Sequence, residues 1–449
     1  MNKLQAGFAR VNINPMLGIN IAGYFQVRLA DKILDDLEAN CLALAVEDSK
    51  VVLITFDLCG PKDACYDIFR QAVSDATGLP SEAIFISATH THTGPIVDNR
   101  IEDPLIQDYI KLLSSRLADV AVLALQDLKP AKMGWGIGQA PNVAFVRRFR
   151  MKDGSIQTNP GVNNPNILEP IGTIDERVNV LRFDREDGDT IVLANFGNHP
   201  DTVGGCGISG DWPNFARRTV EKVLDNTKCI FFNGAQGDVN HVNVHPKGGD
   251  FNGMFNDFDD VSRGYSHARH IGNVVTGAVL QVFEKVCYQD VESLKAVSHK
   301  FQLPSNMPTP EEMPEARRIN EMHLAGRDAE LPYKGMMLTT MVADAARKIR
   351  LEHGPESFGM ELTGIAIGPV AMIGIPGEPF NDIGLGIKDT EGWDTILPCC
   401  LTNGSIGYFP TMNAYTEGGY EAKSSPFKAG VAERIVAEAK LVLGMLKED

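Results

Sequence analysis

Five short segments carry residue types that could do metal or hydrolytic chemistry. The first is Ser87-Ala88-Thr89-His90-Thr91-His92-Thr93-Gly94-Pro95, directly after the apolar run Ala83-Ile84-Phe85-Ile86. In an extended strand, residues two apart share a face. Both imidazoles could therefore look into one cavity at a strand end, one ligating a metal while the other works as acid, base or supporting partner. An ordinary pair of hydrogen-bonded histidines fits the same spacing.

The second segment, Leu193-Ala194-Asn195-Phe196-Gly197-Asn198-His199-Pro200-Asp201, again ends an apolar run in a histidine, and Pro200 stops the ladder. The third is Asn233-Gly234-Ala235-Gln236-Gly237-Asp238-Val239-Asn240. Its glycines allow close backbone approach to a ligand. No Gly-Lys-Ser/Thr follows, so it is not a phosphate-binding P-loop. In Ile373-Gly374-Ile375-Pro376-Gly377-Glu378-Pro379-Phe380 a carboxylate stands between Gly and Pro. Burying it is costly unless it is paired or metal-bound, so Glu378 is a candidate oxygen ligand or, alternatively, a helix-start carboxylate. The fifth places Tyr408, Tyr415 and Tyr420 in a Gly-rich stretch, where tyrosines commonly pack with the hydroxyl at a rim.

The elements that must position these groups follow from periodicity. Strand-like runs occur at 42–46, 51–56, 83–87, 178–183, 190–196 and 229–232. Several are continuously apolar, as strands buried on both faces are. Helical patterns lie at 66–76, 105–128, 214–224 and 270–286, the second ending at Lys129-Pro130. The alternation predicts an α/β fold, a mixed β-sheet core covered by helices. Residues from about 305 to 354 read as a charged, Met-rich helical insertion; strand character returns at 362–375 and a helix closes the chain at about 430–446. With chemistry-bearing residues drawn from both halves of the sequence, one catalytic domain over 1–449 is expected.

Composition narrows the function classes. Lys+Arg number 42 against Asp+Glu 58, a formal net charge of -16. That balance argues against nucleic acid or an anionic membrane surface as partner. No run of about 18 apolar residues predicts a membrane span. Eight scattered cysteines without a Cys-x-x-Cys pair point to a reduced, cytoplasmic protein. A homo-oligomer is compatible with these observations.

Taken together and in order, the five segments resemble the neutral/alkaline non-lysosomal ceramidase family, in its N-terminal catalytic domain. Gly7-Phe8-Ala9-Arg10-Val11-Asn12-Ile13 and Ala22-Gly23-Tyr24 are similar to that family's opening, and Thr89-His90-Thr91-His92-Thr93-Gly94-Pro95 to its most specific signature. The resemblance implies one catalytic Zn2+ per chain, held by His90, His199, Glu378 and Tyr408. It implies a catalytic role for His92 and an oxyanion-holding role for Tyr420. Arg147, in Phe145-Val146-Arg147-Arg148, falls where the family has an Asn-Arg pair contacting substrate; here Val146 replaces the Asn, and Arg148 competes for the assignment. Gly23 and Asn240 complete the implied substrate contacts. Where family members read Gly-Asp-Val-Ser-Pro-Asn, this chain reads Gly237-Asp238-Val239-Asn240-His241-Val242, so no serine nucleophile stands there. Ending at Asp449, the chain is expected to lack the family's C-terminal immunoglobulin-like domain, and no long apolar segment suits docking on a bilayer.

The implied activity is hydrolysis of an amide or ester bond by a zinc-activated water, zinc lowering the water pKa from near 16 to about 7. His92 would act as general acid; Tyr420 and Arg147 would stabilise the oxyanion. A small soluble substrate is expected rather than ceramide. Asp211 and Asp238 are candidates to orient a ligand histidine, and His241 and His245 either line the pocket or lie on the surface. Two other readings stand beside this one: a zinc lactonase, esterase or lyase acting on a polar metabolite, and a non-catalytic metal-binding protein.

Overall fold

The apolar runs of the first half pair into one mixed sheet. The computed structural model describes residues 4–259 and 261–448. Thr227–Asn233, Thr190–Phe196, Arg177–Arg185, Lys129–Gln139, Leu4–Asn12, Glu38–Val46, Ser49–Phe56 and Ile84–Ala88 lie side by side in that order, with Cys287–Gln289 added on Lys129–Gln139. The outermost pair at each end is parallel and the inner pairs are antiparallel. Every residue of Glu38–Val46 is buried, which is why that run reads as continuously apolar rather than alternating.

Alternate residues of one strand serve different cores. Val192 and Ala194 pack with helices Asp211–Val223 and Tyr265–Val282. Leu193, between them, joins a cluster containing Met372 and Leu397 of a second sheet. That sheet orders Leu294–Pro304, Ser357–Ile367, Val370–Gly374 and Thr395–Cys399, the last pair parallel. Between its first two strands stand helices Met313–Leu324 and Gly335–Leu351, which share a small apolar cluster of their own. The mixed sheet covered by helices is the architecture the periodicity predicts.

Three long strands escape the periodicity reading: Leu4–Asn12, Lys129–Gln139 and Leu294–Pro304. Lys129–Gln139 is interrupted by glycines because helix Tyr265–Val282 lies against it; a Cβ at Gly138 would stand 2.1 Å from the Ala278 carbonyl oxygen. The strand character at 362–375 resolves into a hairpin, Ser357–Ile367 and Val370–Gly374, turned at Gly368-Pro369. The predicted helix at 270–286 starts five residues earlier, at Tyr265, and ends at Val282. Among the described residues all eight cysteines are free thiols, and no helix is long and apolar enough to cross a membrane.

The two sheets meet at their strand ends. Ser87 bridges Thr402, and the Ser87 hydroxyl donates to the Cys400 carbonyl at 2.9 Å. The Cys400 amide donates to the Asn233 carbonyl at 3.0 Å. A buried ion pair fixes the same junction: Arg217 donates to both carboxylate oxygens of Asp57 at 3.0 and 2.6 Å, while the Thr89 hydroxyl donates to Asp57 Oδ1 at 3.1 Å. Both charged groups are wholly inaccessible. Asp57→Ala leaves the buried guanidinium with only the longer ion pair to Glu38 at 3.4 Å, so urea denaturation should show a loss of about 3–5 kcal/mol. A loss below about 1 kcal/mol would mean that Arg217 reaches water or another partner.

Candidate active site

Strand Ile84–Ala88 delivers the histidine pair, but not by strand geometry. The ladder ends at Ala88, and His90 turns into the left-handed region at φ 79°, a conformation that costs a residue with a Cβ some strain. The turn is held by the Thr89 and His90 amides, which donate to the carbonyls of Phe56 and Leu58 at 3.0 and 2.9 Å. The two rings meet edge to face, 4.8 Å between centroids, with their Nε2 atoms 3.3 Å apart. The expected shared strand face is therefore replaced by a backbone turn that brings the rings together.

His199 follows strand Thr190–Phe196 and is fully buried. Its Nδ1 donates to the carbonyls of Gln236 and Val239 at 2.8 and 3.1 Å, so the Gly-rich loop after Thr227–Asn233 serves as its orienting shell. Glu378 opens the two-residue strand Glu378–Pro379, which runs parallel to Tyr408–Phe409. One carboxylate oxygen, Glu378 Oε2, lies 3.2 Å from His90 Nε2 and 3.2 Å from His199 Nε2. The three donor atoms all fall within 4.8 Å of one another.

These three donors fit a cation. Burial and the Arg147 charge push His199 down to about 3, so its ring is neutral. With the proton on Nδ1, its Nε2 lone pair faces a carboxylate. Glu378, despite burial, is held well below its ordinary range by His90, and raises His90 in turn against the effect of burial. A proton on His90 Nε2 satisfies its contact with Glu378, and Arg147 Nη1 reaches the His199 lone pair at 3.4 Å; a cation among the three donors would satisfy both carboxylate contacts at once. His90 Nδ1 is also committed to a backbone carbonyl, that of Cys59, which leaves Nε2 as its outward atom. The three residues thus form a group that could hold a metal ion.

Around the cluster the predicted residues separate. Arg147 lies inside it: Nη1 is 3.4 Å from His199 Nε2, Nη2 donates to the Gly237 carbonyl at 2.6 Å, and Nε donates to Glu421 at 2.7 Å. Arg148 points elsewhere, to Glu417 and the Gly418 carbonyl. Tyr408 stacks at 6.4 Å on the His199 ring and meets Tyr420 at 5.7 Å. Burial, then the Glu378 charge, raises both phenols. His92 Nδ1 is buried 3.5 Å from Asp201 Oδ1 without a hydrogen bond. Asp201 is fixed by Tyr24 and by two bonds from Arg263 at 3.0 and 2.9 Å. Gly23, at φ 101°, packs directly on the His92 ring; a Cβ there would stand 2.6 Å from His92 Cγ, so no larger residue leaves that ring in place.

Other readings change. The Asn240 side chain is bonded to Asn159 at 3.0 Å and to the Val242 amide at 3.0 Å, not to the clustered donors. Neither Asp211 nor Asp238 orients a ligand imidazole; backbone carbonyls do that work. Asp211 accepts from the amides of Thr202, Val203 and Trp212, closing the loop that follows His199. Asp238 accepts from the Asn381 amide at 2.7 Å, at the start of helix Asn381–Lys388. His245 is exposed, whereas His241 is buried and held by the Ser262 carbonyl. No motif flagged Cys59, Asp201 or Glu421. Cys59 forms a second potential ligand group with His90 and His92, and only its place three residues past the apolar strand Ser49–Phe56 hinted at it.

Asp238 offers a pH-dependent test. Burial raises its carboxyl to about 7, against about 3.9 in an unfolded chain. The native state thus binds the proton more tightly, and stability falls as pH rises between roughly 4 and 7. Asp238→Asn keeps the acceptor for Asn381 and removes that penalty. Its Tm relative to wild type should rise by several degrees from pH 5 to pH 8; a pH-independent difference would show that Asp238 titrates normally.

No known protein-family profile matches the sequence, and no curated protein matches it. Solved structures share its fold, and two of them are ceramidases by description. One, described as neutral ceramidase from Pseudomonas aeruginosa, superposes with a TM-score of 0.73 at 16% identity, covering 100% of this chain and 76% of that one. The other, a ceramidase complexed with C2, gives a TM-score of 0.71 at 15% identity over 99% of this chain and 76% of that one. The chain therefore has the neutral ceramidase fold over its whole described length, with the candidate metal cluster where strand ends of its two sheets converge.

Proposed function

We propose that the protein is a zinc-dependent hydrolase that cleaves an amide bond, or an ester in the same position, of a small soluble substrate. One observation carries this reading: three buried metal-ligating atoms from distant segments converge within 4.8 Å, with a fourth group, His92, and a guanidinium, Arg147, at 3.3 and 3.4 Å from two of them. His90, His199 and Glu378 would hold the metal, with Tyr408 as fourth ligand. When bound, zinc supplies Lewis acidity, polarising a carbonyl and making water a competent nucleophile near neutral pH.

The chain's own groups supply the rest. His92 faces the cluster through Nε2 and Asp201 through Nδ1, so it can deliver a proton to a departing amine. Arg147 and Tyr420 donate to negative charge developing on the carbonyl oxygen. Arg147 is pre-oriented by Glu421 and the Gly237 carbonyl, and needs no rearrangement to do so. Gly23 keeps the His92 ring seated. No serine stands at position 240, and water is the attacking group in this reading. The acidic surface suits a small-molecule substrate in the cytoplasm better than a nucleic acid.

Metal analysis of purified protein should find about one zinc per chain, and the zinc-loaded protein should turn over members of an amide panel. Turnover confined to lactones or sugar esters would favour the other hydrolytic reading. Bound zinc with no turnover on amides, esters or lactones would favour a binding protein, and absence of zinc after loading would remove the metal site.

A further inference from the structure

The two helices inserted in the second sheet have no part in the chemistry above, yet one of them walls a cavity beside it. Helix Gly335–Leu351 packs against the short helix Tyr420–Ser424. Between them, and against residues 156–161, lies a cavity of about 190 Å³ whose walls include Thr158, Asn159, Lys334, Met336, Thr340 and Lys423. Its volume is below the ~300–1,000 Å³ usual for a drug-sized ligand; it suits one small polar group.

Its charge is the unusual feature. The chain carries a formal net charge of -16, yet this cavity is lined by two lysines and no carboxylate. Neither lysine has an ion-pair partner among the described residues; Lys423 Nζ lies 3.6 Å from the Met341 sulfur. The 17-residue helix begins at the cavity, and its N-cap, Lys334, provides no side-chain cap. Its first amides and the positive end of its dipole are thus left for another acceptor. Behind Gly419, also in the wall, the charges are already balanced: Arg148 pairs with Glu417 at 3.0 Å and the Glu421 carboxylate pairs with Arg147. The unpaired cations at the cavity are therefore the two lysines, whose field its concavity focuses.

The cavity is coupled to the candidate active site through its wall. Thr158 accepts from the Tyr420 amide at 3.3 Å and donates to Glu421 at 3.0 Å, and Glu421 in turn holds Arg147. Asn159 donates its amide to the Arg147 carbonyl at 2.8 Å. We propose that this cavity binds an anionic oxygen group, a carboxylate, on the arm of the substrate remote from the scissile bond. The substrate class is then a small amide bearing a carboxylate on the arm away from the bond that is cleaved. This assignment of substrate rests on the hydrolase reading; the anion site itself does not.

The test separates the two. Full-length protein is titrated with succinate, and in a second arm with inorganic phosphate, against chloride at matched ionic strength, with binding read by calorimetry and by Tm. Wild type should bind succinate. Lys423→Gln and Lys334→Gln should each weaken binding at least fivefold, the double variant should lose it, Lys423→Arg should keep it, and Glu378→Gln should bind as wild type does. For any amide that is turned over, the ratio of KM between the neutral and the carboxylate-bearing form should fall toward one in Lys423→Gln. No succinate binding, or equal binding by the double variant, overturns the site. Binding of phosphate without succinate overturns the carboxylate assignment. Succinate binding with the expected lysine dependence, but no amide hydrolysis, leaves the anion site standing and removes the hydrolase reading.

Discussion

Glu378→Ala is expected to abolish metal retention and to lower kcat/KM by at least about 10³-fold, roughly 4 kcal/mol of transition-state stabilisation. Glu378 Oε2 is the shared neighbour of both ligand imidazoles, 3.2 Å from each Nε2. Without it two neutral imidazoles and a buried phenol remain, and the phenol's ionisation is opposed by burial. A divalent cation loses its main anionic donor. His90→Ala should show the same loss of metal by a different route, since it removes a nitrogen donor and leaves the carboxylate facing His199 alone. Zinc content measured by mass spectrometry on dialysed protein checks both. Near-stoichiometric metal in both variants would mean that the ion sits elsewhere, whereas metal kept by Glu378→Ala and lost by His90→Ala would point to the group of Cys59, His90 and His92.

His92→Asn should keep full zinc and lose about 10²–10⁴ in kcat, the range for a removed general acid. The split follows from geometry. His92 has neither nitrogen on Glu378; its Nε2 faces the His90 ring and its Nδ1 faces Asp201. Loss should be largest on unactivated amides, whose leaving nitrogen needs a proton, and smaller on esters of acidic phenols, which need none. Asp201→Asn should reproduce this pattern more weakly, because burial is outweighed by Arg263 and the carboxylate stays ionised beside His92. A kcat for His92→Asn equal to wild type on an unactivated amide would remove His92 from the reaction.

Local order was legible where each residue's surroundings are set by its neighbours in sequence. Ser49–Phe56, Thr190–Phe196 and helix Pro104–Gln126 appear where apolar periodicity places them, because burial of a strand or helix face imposes that period on the chain. So were the candidate ligands His90, His199 and Glu378: each follows an apolar strand closely, and a polar or charged residue there breaks the expected pattern. Lys129–Gln139 was not legible, since its glycines answer to a helix packed on it from 140 residues away in sequence rather than to strand propensity. The partners of the site were hidden for the same reason. Nothing local marks Asp201 as the neighbour of His92, Glu421 as the holder of Arg147, or the Cys59 carbonyl as the anchor of His90. Sequence alone determined which residues could ligate and which strands would carry them. Only the tertiary structure decided that they converge, that backbone carbonyls rather than carboxylates orient the two imidazoles, and that Arg147 rather than Arg148 faces the cluster, because each of these depends on strand ends of two separate sheets meeting across a buried junction.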